Sequence, residues 1–130
     1  MILLVGGEKG GSGKSCLAQN IAVFLQQQGQ DILLLDADPQ GTTTDWAKER
    51  EENESLKSLA CVQASGNLRQ TLRDLSKRYQ AVIVDAGSQD SEALRSAMTV
   101  ATHMLLPFRP KRRDLKTLIT VEQLVKLAKA

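Results

Sequence analysis

A glycine-rich segment near the amino terminus constrains this chain more than any other feature of its sequence. Residues 6–15 read GGEKGGSGKS, and Gly13, Lys14 and Ser15 match the end of the pattern G-x-x-x-x-G-K-[ST], whose first glycine would fall on Glu8, one residue after Gly7. An apolar run precedes the segment and a helically spaced apolar pattern follows it, which predicts a strand–loop–helix unit. Glycines let backbone N–H groups converge on phosphate oxygens, and the helix N-terminus favours the same negative charge. The segment therefore predicts a phosphate-binding loop.

Individual residues of this loop have predicted parts in phosphate binding. Lys14 is expected to contact the β- and γ-phosphates of a nucleotide, and the Ser15 hydroxyl is expected to ligate Mg²⁺. The residues expected to surround the phosphates form one continuous run, namely Gly10, Gly11, Ser12, Gly13, Lys14, Ser15 and Cys16.

Apolar runs alternate with helically spaced apolar residues along the rest of the chain. This alternation predicts an α/β fold, with a mostly parallel β-sheet and helices on both faces. The predicted strands are residues 2–5, 32–35, 59–62, 81–84 and 104–106. The stripes that predict helices are Leu17, Ile21, Phe24 and Leu25, then Leu68, Leu72 and Leu75, then Leu94, Ala97, Met98 and Ala101, and finally Leu118, Val121, Val125 and Ala128.

Three further features predict where helices begin and end. Gly29 is expected to end the first helix, because glycine readily adopts the left-handed conformation found there. Asp90 or Ser91 is expected to cap the helix that follows the strand at 81–84. The polar segment 42–54 is expected to contain a short helix of its own.

Acidic residues follow two of the predicted strands, at the sheet edge where ligands bind in such folds. Asp36 and Asp38 lie in the stretch LLLDADPQG, and Asp85 ends the run AVIVD. Phosphoryl transfer needs an acceptor that orients water and anions that help to hold a metal ion. The run that ends at Asp85 has a Walker B pattern, so Asp85 is expected to bind Mg²⁺ through a water molecule that Ser15 helps to hold.

A second lysine, Lys9, precedes the paired glycines and gives the sequence KGGSGKS. With this lysine the loop resembles that of the deviant Walker A ATPases, the P-loop NTPase group that includes ParA, MinD and the nitrogenase iron protein. The resemblance implies a homodimer formed with ATP, in which Lys9 reaches the nucleotide of the other subunit.

The stretches DADPQG and TTTDW resemble the small ParA-type partition ATPases, which lack an N-terminal helix-turn-helix segment. This resemblance implies that Asp38 positions or activates the attacking water and that Asp36 supports Mg²⁺ through water. It also implies a Mg²⁺-dependent ATPase, weak without its partner, that segregates plasmid or chromosomal DNA with a ParB-like centromere-binding protein. Trp46 is expected to be a hydrophobic anchor for its segment.

The densest basic cluster contains Lys111, Arg112 and Arg113. Non-specific DNA contact is one interpretation, because phosphate charge dominates such binding. A solvated loop that opens a helix is the other interpretation, and the net charge of +2 does not decide between them.

The length and one departure from the family pattern leave alternatives open. ParA-type proteins are usually longer, so the 130 residues are expected to form a single P-loop ATPase domain that lacks its C-terminal part. Ser88 stands where the small partition ATPases have glycine. A non-hydrolysing nucleotide-binding module, or an inhibitory truncated fragment, is therefore one alternative. A MinD-like division-site regulator is another, although that group carries a C-terminal amphipathic membrane helix that is not seen here.

The remaining composition predicts a cytoplasmic protein that associates with the nucleoid if it contacts DNA. No apolar run approaches the roughly 20 residues of a membrane span, so no membrane contact is expected. Cys16 and Cys61 are isolated and lack metal-ligand spacing, which predicts two reduced and partly buried thiols.

Overall fold

The computed structural model describes residues 1–6, 13–86 and 91–106, and its elements alternate as the sequence predicts. The strands are β1 (Ile2–Val5), β2 (Ile32–Ala37), β3 (Cys61–Gln63), β4 (Ala81–Ala86) and β5 (His103–Leu105). The helices are α1 (Lys14–Gln27), α2 (Thr42–Glu52), α3 (Arg69–Arg78) and α4 (Glu92–Val100).

The described strands form one parallel sheet in the order β3-β2-β4-β1-β5. In this register Asp85 of β4 lies opposite Val5 of β1 on one side and opposite Asp36 of β2 on the other. The topology therefore brings two acidic residues to neighbouring positions near the carboxyl ends of central strands.

Helices cover both faces of the sheet, as predicted. On one face Ala18 and Ala22 of α1 pack with Leu34 and Ile83, and Trp46 of α2 packs against the same core. On the other face α3 and α4 pack against residues that include Leu4, Val82 and Val84. Because β2 and β4 are buried along their whole length, their sequences are continuous apolar runs rather than alternating ones.

Strand boundaries differ from the sequence-based ones by one or two residues. Both β2 and β4 continue for two residues beyond their apolar runs, so Asp36 and Asp85 are strand residues. Strand β3 begins later than predicted and β5 begins earlier. Strand ends are set by backbone hydrogen bonds to neighbouring strands, such as that from Ala64 N to Asp36 O, and these do not depend on side-chain polarity.

The predicted apolar stripe of α1 is wrong at Phe24, which is 58% exposed. The buried face of this helix instead contains the small residues Ala18 and Ala22, both fully buried, and Leu17 and Ile21 flank it. At about 100° per residue, Phe24 lies roughly 120° around the helix from Ala18, so it falls outside the face that packs on the sheet.

Two predicted helix ends are confirmed. Gly29 has φ 85 and donates its N–H to Gln26 O, while Gln30 N bonds to Leu25 O, so the last carbonyls of α1 have partners. Of the two candidate caps for α4, Ser91 occupies the position, and its side chain accepts a hydrogen bond from Leu94 N. Asp90 and the helix predicted around residues 118–128 lie outside the described residues.

In the described part of the chain, no helix is both long enough and apolar enough to cross a lipid bilayer.

The packing of α3 yields a stability prediction. Leu72 is fully buried between α3 and the sheet, whereas Phe24 lies largely in solvent. Leu72→Ala should lower the free energy of unfolding by about 2–5 kcal/mol, because it removes buried contacts and leaves a cavity. Phe24→Ala, the control, should change that free energy by about 0.5 kcal/mol or less. Urea unfolding followed by circular dichroism measures both, and equal losses would contradict the assignment of the two faces.

Candidate functional site

Lys14, the first residue of α1, carries its ammonium group into a cluster of carboxylates. Its Nζ atom lies 2.6 Å from Asp85 Oδ1 and 3.4 Å from Asp38 Oδ2. The side chains of Lys14 and Asp85 are 6% and 0% exposed, while that of Asp38 is 16% exposed. Sequence analysis placed these residues in one site, and the structure brings all of them together. The short contact is a charge-assisted hydrogen bond between buried groups.

The second oxygen of the Asp85 carboxylate is also bonded. Asp85 Oδ2 accepts a hydrogen bond of 2.5 Å from the hydroxyl of Thr43, in the first turn of α2. That hydroxyl accepts one of 3.0 Å from Nε2 of Gln19 on α1. Asp85 therefore links β4 to both helices on this face of the sheet.

Asp36 is fully buried and bonds mainly to the start of α2. Its Oδ2 atom accepts hydrogen bonds from the backbone N of Thr44 at 2.8 Å and from the Thr44 hydroxyl at 2.7 Å. Its Oδ1 atom accepts from Asp38 N at 3.0 Å. In this arrangement Asp36 holds the loop that carries Asp38 in place.

The local sequence explains why Asp36 takes this part. The N-cap residue of α2 is Gly41, with φ 67, and it has no side chain to accept the free N–H groups of the first turn. The carboxylate of Asp36 supplies that acceptor from the neighbouring strand, and its charge also suits the positive end of the helix dipole. Asp38 Oδ1 accepts from Gln40 N, which closes the turn between β2 and α2.

Ser15 is the second residue of α1 and is half-buried beside Lys14. The loop positions Lys9, Gly10, Gly11 and Ser12 lie outside the described residues. Also outside them are Ser88 and the basic cluster, namely Lys111, Arg112 and Arg113. The parts predicted for these residues remain predictions.

The two cysteines differ in their surroundings. Burial raises the pKa of the Cys61 thiol to about 11, and the nearby charges of Asp36 and Asp85 act in the same direction. Cys61 is half-buried, as predicted, but Cys16 is exposed, so the prediction of a partly buried thiol is wrong there. Cys16 lies on the side of α1 away from the sheet, where Asn20 Nδ2 contacts its sulfur at 3.2 Å.

Sequence reasoning missed three polar residues of this site: Gln19, Thr43 and Thr44. Threonine in the first turn of a helix usually bonds locally, so its pattern does not indicate a contact with a distant strand. Thr43 and Ala47 are four residues apart, as on one face of a helix, and both are buried. This spacing was the one signal in the sequence that could have placed Thr43 on the inner face of α2.

The side chains at this edge suit a metal ion that binds together with a phosphate ligand. Among the residues that the structure describes, no group of three or more His, Cys, Asp or Glu side chains could hold a metal ion. Mg²⁺ is usually held by one or two protein oxygens, with phosphates and water completing its coordination. The buried carboxylate of Asp85 and the hydroxyl of Ser15 fit as protein oxygens for Mg²⁺, and the ammonium of Lys14 fits as a donor to the phosphate ligand.

Comparison with known sequences relates this geometry to nucleotide binding. The family model described as CobQ/CobB/MinD/ParA nucleotide binding domain matches residues 3–129. A protein named ParA from Rhizobium radiobacter is 32% identical over 113 residues, which are 87% of this chain and 50% of that protein. The chain spans about half the length of the curated relatives it matches.

Comparison with solved structures identifies the fold. A plasmid partition protein from Borrelia burgdorferi has a TM-score of 0.82 at 18% identity, covering 99% of this chain and 74% of that protein. A cobyrinic acid a,c-diamide synthase from Mycobacterium smegmatis, with bound ATP analogue and magnesium, has a TM-score of 0.80 at 18% identity. That match covers 98% of this chain and 69% of the synthase. The predicted P-loop NTPase fold is thereby confirmed.

The buried ion pair yields a prediction for the ligand-free protein. Lys14→Met should lower the free energy of unfolding by about 3–5 kcal/mol, because it leaves the Asp85 carboxylate buried without its cation. Lys14→Met combined with Asp85→Asn should cost less than the sum of the single changes, since neither buried charge remains. The measurement is urea unfolding at neutral pH. Lys48→Met, on the exposed side of α2, is the control, and strict additivity would contradict the ion pair.

Proposed function

The chain belongs to the CobQ/CobB/MinD/ParA family of nucleotide-binding domains, and we propose that it binds and hydrolyses ATP with Mg²⁺ as a dimeric switch in DNA partition. One observation carries the proposal. The Lys14 ammonium contacts both Asp85 and Asp38 at the carboxyl ends of the strands, and Lys14 directly follows the glycine-rich segment of the sequence. A buried ammonium held by two carboxylates can be transferred to a phosphate group without leaving the site.

The binding step follows from the contacts of Lys14 and its neighbours. The phosphates of ATP would take the Lys14 ammonium from Asp85, and Ser15 and Asp85 would hold Mg²⁺, with Asp36 as a further carboxylate beside them. Bound Mg²⁺ would neutralise phosphate charge and make the terminal phosphoryl group a better acceptor for a nucleophile. Lys14 would add a second positive charge on the β- and γ-phosphates.

Asp38 is suited to orient the attacking water. Its carboxylate is the most exposed of the three in the site, and its contact with Lys14 is the longer one, at 3.4 Å. When Lys14 turns to phosphate, Asp38 Oδ2 is released from that contact and can accept a hydrogen bond from water. The bond from Gln40 N to Oδ1 keeps the carboxylate in place meanwhile.

The partition role rests on the resemblance of the sequence and on the relatives. The deviant loop with Lys9, the DPQG stretch and Trp46 all follow the ParA pattern, and both a ParA protein and a plasmid partition protein are similar to this chain. In that role Lys9 contacts the nucleotide across a homodimer, and a ParB-like protein stimulates hydrolysis. Lys111, Arg112 and Arg113 would contact DNA phosphates.

Calorimetric titration with ATP and Mg²⁺ tests the nucleotide site. The unmodified chain should bind with a dissociation constant of about 1 μM, and Lys14→Ala should weaken binding about 100-fold by removing a charge-assisted contact. Lys9→Ala should bind nearly as well but fail to dimerise with ATP, as measured by analytical ultracentrifugation. The exposed Lys48→Ala is the control for loss of charge.

Two results would contradict this assignment. Absence of ATP binding by the unmodified, folded chain would overturn the proposed nucleotide site. A Lys9→Ala variant that still dimerises with ATP would overturn the contact across the dimer and leave nucleotide binding intact.

Turnover separates the hydrolytic switch from a non-hydrolysing module. Asp38→Asn should lower phosphate release by about 100-fold or more while ATP binding is retained, because the amide is a poor acceptor for the proton of water. Asp45→Asn, an exposed acid in the first turn of α2, is the matched control. Phosphate release is measured with and without plasmid DNA and a ParB-like protein. Binding without turnover under all of these conditions would favour the non-hydrolysing alternative.

A further inference from the structure

Four side chains connect α1, α2 and β4 into a closed circuit. Lys14 and Gln19 belong to α1, Thr43 to α2 and Asp85 to β4. The circuit runs from Lys14 Nζ to Asp85 Oδ1 at 2.6 Å and from Asp85 Oδ2 to the Thr43 hydroxyl at 2.5 Å. It returns to α1 through Gln19 Nε2, which lies 3.0 Å from that hydroxyl.

Thr43 is fully buried, and its hydroxyl bonds to a carboxylate that is also fully buried. A buried hydroxyl without a partner would be costly, so the position of the first turn of α2 is tied to the position of Asp85. Since Asp36 bonds to the next residue, Thr44, two carboxylates on neighbouring strands hold this turn.

Loss of the Lys14–Asp85 contact opens this circuit of hydrogen bonds. When a phosphate group takes the ammonium, the hydroxyl of Thr43 is the bond that still connects Asp85 to α2. We propose that Thr43, assisted by Gln19, is a positioning residue that transmits the loss of the Lys14–Asp85 contact to α2 when nucleotide binds. The inference rests on the proposed function, because it requires a ligand that takes Lys14.

Helix α2 contains its own reporter of such a change. Trp46, the only tryptophan of the chain, lies one turn after Thr43 and packs against the core beneath α1. The guanidinium of Arg50 lies 5.8 Å from the centre of its ring. A shift of α2 against α1 therefore alters both the apolar contacts of the indole and its cationic neighbour, and its fluorescence should change.

A purely structural part for Thr43 predicts a different pattern. If only the shape of the Thr43 side chain mattered, Thr43→Val would keep the response of α2, because valine has nearly the same shape. Thr43→Ser would instead leave a small void where the methyl group was. If the hydroxyl transmits the change, serine should retain the response and valine should lose it. Thr42→Val makes the same chemical change one residue earlier, at an exposed position, and serves as the matched control.

The experiment uses the full chain with Mg²⁺ and the non-hydrolysable analogue AMPPNP. Calorimetry gives the affinity, and Trp46 emission at saturating ligand gives the response of α2. Thr43→Val should weaken binding by no more than about 100-fold, the upper range for one hydrogen bond to a charged group, and should lose most of the emission change. Thr43→Ser and Thr42→Val should keep both the affinity and the emission change.

Several results would overturn the inference alone. One is a full change of Trp46 emission in Thr43→Val. The others are an absent emission change in Thr43→Ser and an absent emission change in Thr42→Val. Wild-type binding without any emission change would have the same meaning. A loss of affinity beyond about 100-fold in Thr43→Val would assign the hydroxyl to the ligand contact itself and would also overturn the positioning role. Absence of AMPPNP binding by the wild-type chain would instead mean that the proposed function has failed.

A second variant keeps the test decisive if Thr43→Val does not fold. Gln19→Met has nearly the same length but cannot donate to the Thr43 hydroxyl, and it leaves the Thr43–Asp85 bond in place. A reduced emission change at unaltered affinity would support the inference. An unchanged emission response in this variant would overturn it.

Discussion

The buried ion pair between Lys14 and Asp85 is the interaction on which the rest of the site depends. Breaking a buried pair is costly, yet replacing it with apolar groups is often neutral or stabilising, so its presence argues for use of the charges rather than for stability. The pair occurs where the glycine-rich loop meets α1 and where β4 ends. A ligand that competes for the ammonium thus acts at the junction of the sheet and the helices.

The second constraint is the start of α2, which has no capping side chain of its own. Asp36 accepts the hydrogen bonds of Thr44, and the turn that follows β2 brings Asp38 beside Lys14. Asp38 is therefore held in place by Asp36, at the end of the strand that precedes it, rather than by a helix. One short stretch of sequence thus carries three acids with different contacts. Asp36 accepts hydrogen bonds at the start of α2, Asp38 contacts Lys14, and Asp45 lies in the first turn of α2.

Much of this arrangement could be predicted because it depends on short-range pattern. Glycine spacing located the loop, apolar runs located the strands, and parallel topology implies that Asp36 and Asp85 meet at one edge. The remainder depends on packing between distant segments. The exposure of Phe24 depends on which side of α1 faces the sheet, and the bond from Thr43 to Asp85 joins residues that are 42 positions apart. Local periodicity alone determines neither the side of the helix that is buried nor the contact between distant residues.

Two alanines of α1 have a consequence for chemistry that takes place at the end of the same helix. Ala18 and Ala22 are fully buried against β2 and β4, so their methyl groups set the height of the helix axis above the sheet. Lys14 is four residues before Ala18, on the same side of the helix. A bulkier residue at either position would raise the axis and withdraw the ammonium from the carboxylates. The smallest side chains of the helix thus determine how deep its charged end can reach.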